Sequence, residues 1–487
     1  MSDIIPLNRS AMHRTDWRIA IFLAVLLAVT YFATAAGITS SNDGSHYALL
    51  RALVDQGSFE ISDYLSFTEG LDYALLGDRR YSDRPPGTAF LATPLYAFSA
   101  ELPSPPQPMP SKHDPDNPRL AYALLTPALL TAGAAALLFM VLRGHFSLSR
   151  PTGVLTTLGF GLGSMAWKYG SVLYSHAASG AVVLLTLALV LRWRGRAWPT
   201  QRAALAANLG LGALLGSSIL MEYTNIVFIA LVGVYWVWHI GRAGRSGRWS
   251  AAAFFVAGGA LPGLLLMGYN TLNFGGPLEL STFHVDISRW PQNASFFSDF
   301  ATPLRVGLPA MLFYGSDNQG LFWLAPITLA GLAGVSELWR RSRGEWGLIV
   351  GVFAVMLTLF SASTTFNPYT NDGRYLTPFL GVWFMLVGFG VERGLRSTWG
   401  TGVVYGLLFL SMRNQFWHIA FAWGHGLDVA QLRPWSFAPD NILRVAGAVW
   451  PNAANALWLG AALVGMWGLG EAVGWLVRRR RVRARAA

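Results

Sequence analysis

Between Asn42 and Gly87 the chain concentrates the side chains that can move protons or hold anions. Eight of its 25 acids lie there: Asp43, Asp55, Glu60, Asp63, Glu69, Asp72, Asp78 and Asp83. Two short stretches stand out. Asn42-Asp43-Gly44-Ser45-His46-Tyr47 comes about seven residues after the first long apolar run, which holds Asp43 at a membrane surface. Tyr81-Ser82-Asp83-Arg84-Pro85-Pro86-Gly87 sets an acid and a fixed cation beside two prolines. Proline restricts its own φ and the residue before it, so Arg84 is expected to be extended and rigidly aimed. A guanidinium so held suits bidentate binding of phosphate. Each stretch also has a plain structural reading. Asn42 or Asp43 can cap the helix that follows, and Asp83-Arg84 can cap one starting near Thr88.

The elements that must position these residues are membrane helices. The chain has 487 residues, of which 53% are hydrophobic and 13% charged. A soluble domain carries roughly 25% charged residues. Twelve segments are long and apolar enough to span about 30 Å of hydrocarbon: 17–36, 120–142, 153–170, 175–191, 203–221, 223–241, 250–269, 319–338, 346–362, 376–391, 399–418 and 453–477. The expected fold is an all-α polytopic membrane protein, one domain over 1–487. It has a long first loop (37–118), a second at 270–318 and a basic tail at 478–487. Tyr47, Leu50, Leu53 and Val54 recur at helical spacing, so the start of the first loop is expected to be an amphipathic surface helix. Thr88 to Ala100 is apolar but too short to span, and is expected to lie at the interface. Ala33-Thr34-Ala35-Ala36 mimics a signal-peptidase site. The run before it exceeds a signal core of 7–15 residues, so an uncleaved anchor is expected.

Charge then orients the chain. With the N-terminus inside, the inner segments hold 23 of the 36 Lys and Arg residues and 6 of the 25 acids. Every inner loop then obeys the positive-inside rule. The net charge of +11 therefore reads as topogenic rather than as a nucleic-acid footprint, and the basic tail as an anchor on anionic lipid. Asp43, Asp83, His176, Glu222, His284, Asp286, Asp317 and Asp372 all fall on the outer side. A channel or carrier places its polar residues near the bilayer midplane, whereas the apolar segments here are almost uncharged. Chemistry at the outer face is the simpler reading, with a transporter or lipid flippase of the envelope as the alternative.

Other chemistries are excluded or weak. There is no cysteine, hence no disulfide, thiolate site or thiol catalysis. The chain has no Walker or GxGxxG loop and no zinc-hydrolase spacing. Glu222 opens the sixth span with no basic neighbour in sequence, and a carboxylate there needs a partner. His176 sits at the outer start of the fourth span. Arg374, with Tyr375, opens the tenth and is a second candidate phosphate ligand.

Taken together, these stretches resemble the GT-C membrane glycosyltransferases that use lipid-phosphate sugars, in the branch of the protein O-mannosyltransferases and bacterial aminoarabinose transferases. That family has an Asp soon after the first span, matched by Asn42-Asp43. It continues to a Tyr-x-(Glu/Asp)-(Lys/Arg)-Pro-Pro element, matched by Tyr81 to Pro86. The stretches Asn273 to Glu279, Gly320 to Pro326 and Gly373 to Pro378 look like those of bacterial members. The resemblance implies an inverting transfer of a hexose or pentose from a polyprenyl-phosphate donor to a hydroxyl of a glycan, lipid or protein. Asp43 would be the general base, with Arg84 and Arg374 binding the donor phosphate. Tyr81, His46, His176, Glu222 and Tyr375 would contact substrate. In aminoarabinose transferases the position of Asp83 is a metal-linked Glu. Asp83, His284 and Asp286 are therefore the candidates for a divalent metal ion, with no cofactor otherwise implied. The implied setting is the bacterial inner membrane, with both termini cytoplasmic.

Overall fold

The computed structural model describes residues 12–194, 196, 198–242, 247–286, 300–313, 320–364, 373–420, 445 and 447–486, with side chains as far as residue 475. Asp317 and Asp372, expected on the outer side, lie outside the described residues. In chain order the helices are α1 (Arg14–Ala33), α2 (Ser41–Arg51), α3 (Gly87–Ala97), α4 (Leu120–Met140), α5 (Arg150–Leu162), α6 (Ala166–Gly170), α7 (Ser175–Trp193), α8 (Gln201–Met221) and α9 (Asn225–Arg242). They continue with α10 (Arg248–Phe274), α11 (Leu304–Leu312), α12 (Leu321–Leu324), α13 (Ala330–Arg341), α14 (Arg343–Ala362), α15 (Leu380–Gly394), α16 (Thr398–Ala420) and α17 (Ala453–Ala486).

Among the described residues, nine helical segments are long and apolar enough to cross a membrane: α1, α4, α7, α8, α9, α10, α14, α15 with the 3-10 turn Arg374–Phe379 that precedes it, and α17. The other three expected spans are helical but differ in kind. The segment 153–170 breaks at Gly163 into α5 and α6. The segment 319–338 breaks at Ala325-Pro326, since a proline cannot donate and disfavours helix in the residue before it. The third, α16, is continuous but carries Arg413, Asn414 and Gln415. Asn414 and Gln415, with Ser411, serve the break. Asn414 Nδ2 donates to Trp323 O (2.9 Å), Gln415 Nε2 to Leu324 O (3.0 Å), and Ser411 Oγ accepts from Ile327 N (2.8 Å). Backbone freed at membrane depth must find partners inside the protein, and α16 supplies them.

The charged residues sort into two ends. At one, Asp16 pairs with Arg143 (3.3 Å) and Arg150 (2.8 Å), and Glu345 with His145 (3.0 Å) and Arg194 (3.5 Å). Glu471 pairs there with Arg14 and Arg18, and Glu392 accepts from Ser149 and Thr152. Every partner comes from a segment that charge assigns to the inner side. At the other end the first loop folds over the helix tips.

Among the described residues, the strands that depart from an all-helical expectation lie in that loop. Tyr73–Leu76 (β1) and Arg79–Ser82 (β2) form an antiparallel hairpin, with Tyr73 opposite Ser82 and Leu76 opposite Arg79. The two-residue turn is Gly77-Asp78, with Gly77 at φ +60, where glycine alone is unstrained. One face of the hairpin, Ala74 and Tyr81, packs into an apolar cluster with Leu220, Met221, Leu266, Tyr269 and Phe274. The far end of α2 is tied down separately. Tyr47 donates to Asp114 (2.8 Å), Arg51 pairs with Asp55 and Asp114, and Arg119 pairs with Asp55 (2.8 Å).

Helix α2 lies hard against the 3-10 turn Ser62–Thr68. A Cβ placed on Gly44 would stand 1.9 Å from the carbonyl oxygen of Phe67. Gly44→Ala is therefore expected to cost about 1–3 kcal/mol of stability. Gly133→Ala on α4, where nothing lies within 4 Å, is the matched control. Thermal unfolding in detergent should show a clear drop for the first and none for the second. Equal melting temperatures would contradict this packing.

Candidate active site

The first turn of α2 is the hub of the polar groups at the loop end. Ser40 is its N-cap and Asp43 its third residue, and the two form a reciprocal capping box. Asp43 Oδ1 accepts from Ser40 N and Ser40 Oγ, both at 2.8 Å. Its Oδ2 accepts from Thr39 N (2.8 Å) and Thr39 Oγ1 (3.1 Å). The carboxylate is fully buried. Burial pushes its pKa up, and the Thr39 and Ser40 donors pull it back. Asp43 is thus a capping residue, but its partners reach further. Ser40 Oγ lies 2.8 Å from the hydroxyl of Tyr174, the residue just before α7.

Two further serines of α2 reach the hairpin. Ser41 Oγ donates to Asp72, just before β1, and Ser45 Oγ meets Ser82 Oγ (2.9 Å), the last residue of β2, and Asp83 Oδ1 (3.1 Å). The hairpin's last pair is Tyr73 with Ser82, so Asp72 and Asp83 leave it at the same open end. Arg84 lies between them: Nη2 donates to Asp72 Oδ1 (2.7 Å) and Nε is 3.3 Å from Asp83 Oδ1. The double-proline element does not use Asp83 as a cap. Helix α3 starts at Gly87 with Pro86 as an N-cap that has no side-chain bond. The acid and the cation are left for each other, and Ser281 Oγ fixes the chain there by donating to Asp83 O (2.8 Å).

Around this centre stand the helix tips. Glu222, at the end of α8, has the partner its position demands: His176 Nδ1 at 2.7 Å, with Ser175 Oγ donating at 3.1 Å. The His176 ring sits edge-on to Tyr169 (4.8 Å) and Tyr375 (6.1 Å between centroids). Arg374 lies over the Tyr375 ring at 5.3 Å. Both Tyr375 and Arg374 are close enough to Arg84 to act on its charge. His46 is fully buried, and both ring nitrogens lack a hydrogen-bond partner in the structure.

Other candidates lie elsewhere. Tyr81 is packed against Phe274 (5.4 Å, edge-on) and anchors the strand that ends at Ser82, next to Asp83. His284 stacks on Phe274 (5.1 Å) and faces Glu279 (3.6 Å), while Asp286 is exposed. No three acidic or histidine side chains converge at metal-binding distance among the described residues. Asp83, His284 and Asp286 therefore do not form the expected ligand set. Asp83 Oδ1 is already taken by a serine and a guanidinium. The sequence reading missed Asp72, because one acid among eight in a loop gives no sign of its partner. The sequence offered Asn42 or Asp43 as the N-cap; the structure makes Ser40 the N-cap and Asp43 the third helical residue, a capping box that Ser40-x-x-Asp43 signals.

Two buried groups titrate in opposite senses. Burial and the nearby Arg84 charge lower the His46 pKa to about 3, so its stability contribution is present above pH 6.5 and lost as pH falls towards 3. Burial raises Asp83 to about 6, with the Arg84 charge opposing and Asp72 adding to the rise. Its contribution is present below about pH 4 and lost as pH rises through 6. Between pH 4 and 6 the two slopes cancel. Melting temperature followed against pH should show what each conceals. Relative to wild type, His46→Asn should lose stability as pH rises from 4 to 6, and Asp83→Asn as pH falls from 6 to 4. Parallel profiles for all three proteins would refute these assignments.

No family model matches the sequence, and no curated protein matches it significantly. The fold does have solved relatives. The crystal structure of ArnT, an aminoarabinose transferase, from Cupriavidus metallidurans bound to undecaprenyl phosphate matches with a TM-score of 0.53 at 16% identity. That match covers 96% of this chain and 73% of that one. ArnT in the apo state gives 0.48 at 15% identity over 93% and 77% of the two chains. The oligosaccharyltransferase of Archaeoglobus fulgidus in the apo form gives 0.47 at 11% over 82% and 56%. Of these three, the first exceeds 0.5, and on it the chain shares the fold of that ArnT structure.

Proposed function

We propose that the chain is a glycosyltransferase that moves a sugar from a polyprenyl-phosphate donor to an acceptor hydroxyl. The observation that carries the reading is the juxtaposition at the loop end. A buried carboxylate on α2 and an aimed guanidinium after β2 are both tied to the start of that helix: Asp43 through Thr39 and Ser40, and Arg84 through Asp72 to Ser41. Undecaprenyl phosphate is bound by ArnT, whose fold this chain shares.

The reaction is a single displacement. The acceptor oxygen forms its bond to the anomeric carbon as the bond to the phosphate oxygen breaks, which inverts the configuration. The acceptor proton passes to Asp43. All four lone-pair sites of that carboxylate are occupied in the resting structure, so one hydroxyl donor turns away first. Ser40 is suited to this, because its hydroxyl already has a second partner in Tyr174. The leaving polyprenyl phosphate gains charge, which Arg84 and Arg374 stabilise. His46, His176 and the Glu222 carboxylate offer polar contacts to the sugar. The acceptor is a glycan, lipid or protein hydroxyl, and the sugar a hexose or a pentose. No step runs through a metal ion.

Purified protein should transfer label from at least one polyprenyl-phosphate sugar. Asp43→Asn should lower turnover at least about 100-fold while costing only about 1 kcal/mol of stability as a lost cap. Arg84→Ala should cost about 10²–10³ in turnover, as removal of one well-placed donor does. Wild-type rates for both variants would remove the basis of the proposal.

The reading also places the loop end outside the bacterial inner membrane, with both termini cytoplasmic. The chain has no cysteine, so single cysteines report side directly. Gly77→Cys should react with an impermeant maleimide in intact spheroplasts, and Ser147→Cys only after lysis. The opposite pattern would invert the topology.

A further inference from the structure

We infer that Asp72 is a positioning residue that sets the aim of Arg84 and locks it to the helix bearing Asp43. This deepens the proposed function, since it concerns the phosphate-binding role assigned there to Arg84. Three observations carry it. Asp72 is buried and spends its two oxygens on two different elements: Oδ1 on Arg84 (2.7 Å) and Oδ2 on Ser41 of α2. Ser41 is two residues from Asp43, so a single carboxylate couples the spacing of base and guanidinium. Finally, Asp72 is held where it is by backbone. Glu69 and Gly70 reverse the chain with φ of +52 and +71, and Asp72 then leads into β1 at the open end of the hairpin, where Ser82 faces Tyr73 and Asp83 follows.

The opposing carboxylate explains why such a residue is needed. Asp83 Oδ1 lies 3.3 Å from Arg84 Nε, which makes no hydrogen bond of acceptable geometry. Without Asp72 the guanidinium has one anion left to approach, and it closes on Asp83. Its Nε edge is then no longer presented to a ligand. With Asp72 in place the fork is drawn the other way and held between the two. A carboxylate that acted only through its charge would do the reverse. It would repel an incoming phosphate, and its removal would tighten binding.

The test uses full-length protein in detergent and the affinity for undecaprenyl phosphate, read from the concentration dependence of the melting temperature. Asp72→Ala should weaken binding about tenfold, the scale of one charge-assisted hydrogen bond. Ser41→Ala keeps both charges and removes only the tie to α2. It should weaken binding about two- to threefold, and it decides the matter if Asp72→Ala does not fold. In an Arg84→Ala background Asp72→Ala should add nothing. Unchanged or tighter binding by Asp72→Ala overturns the inference. So does a full effect that persists without Arg84, and so does a wild-type protein that does not bind undecaprenyl phosphate. A protein that binds it but transfers no sugar leaves Asp72 in place and removes the proposed activity instead.

Discussion

A guanidinium partly withdrawn from water is stabilised by acceptors around it, and much of the loop end supplies them to Arg84. Its side chain is 26% exposed beside two carboxylates, and a half-buried cation left unpaired is costly. Two carboxylates supply the compensation, and each of these needs donors in turn. Asp72 finds Ser41, and Asp83 finds Ser45. The demand thus propagates to α2, whose first turn presents hydroxyls on the side that faces the hairpin. The same turn carries Asp43, held by four donors of its own. A single electrostatic requirement fixes the relation between hairpin and helix.

The membrane helices serve this arrangement at their tips. The end of α8 supplies Glu222 and the start of α7 supplies His176, so the two helices are pinned together where they meet the loop. The broken segment around Pro326 shows a different economy. A helix that stops within the apolar region exposes carbonyls, and α16 gives up part of its own apolar character to satisfy them. This accounts for a segment that looks too polar for its length.

Much of this was legible in the sequence, though unevenly. Membrane class and the two-sided sorting of charge follow from composition, because lipid penalises charge regardless of fold. The Asp83-Arg84-Pro85-Pro86 element announced itself through two prolines that leave the preceding residue few conformations. Glu222 could be said to need a partner, and His176 could not be named as that partner, because the pairing crosses between helices. Asp72 was invisible for the same reason: its importance lies in its bond to Arg84 across the open end of the hairpin, and that proximity appears only once the Gly77-Asp78 turn is recognised. Tyr81 was read as a ligand contact from its place in a motif. Its ring faces the apolar cluster instead, since a strand that alternates faces cannot present Tyr81 and Ser82 to the same side.

The close seat of α2 on the Phe67 carbonyl has a kinetic meaning. With only a hydrogen atom at Gly44 between two backbones, the helix has no slack along that direction. The backbone that carries Asp43 is therefore fixed against movement toward Phe67. On the proposed reading, an acceptor hydroxyl that stops short of the carboxylate is not met by a shift of the helix in that direction.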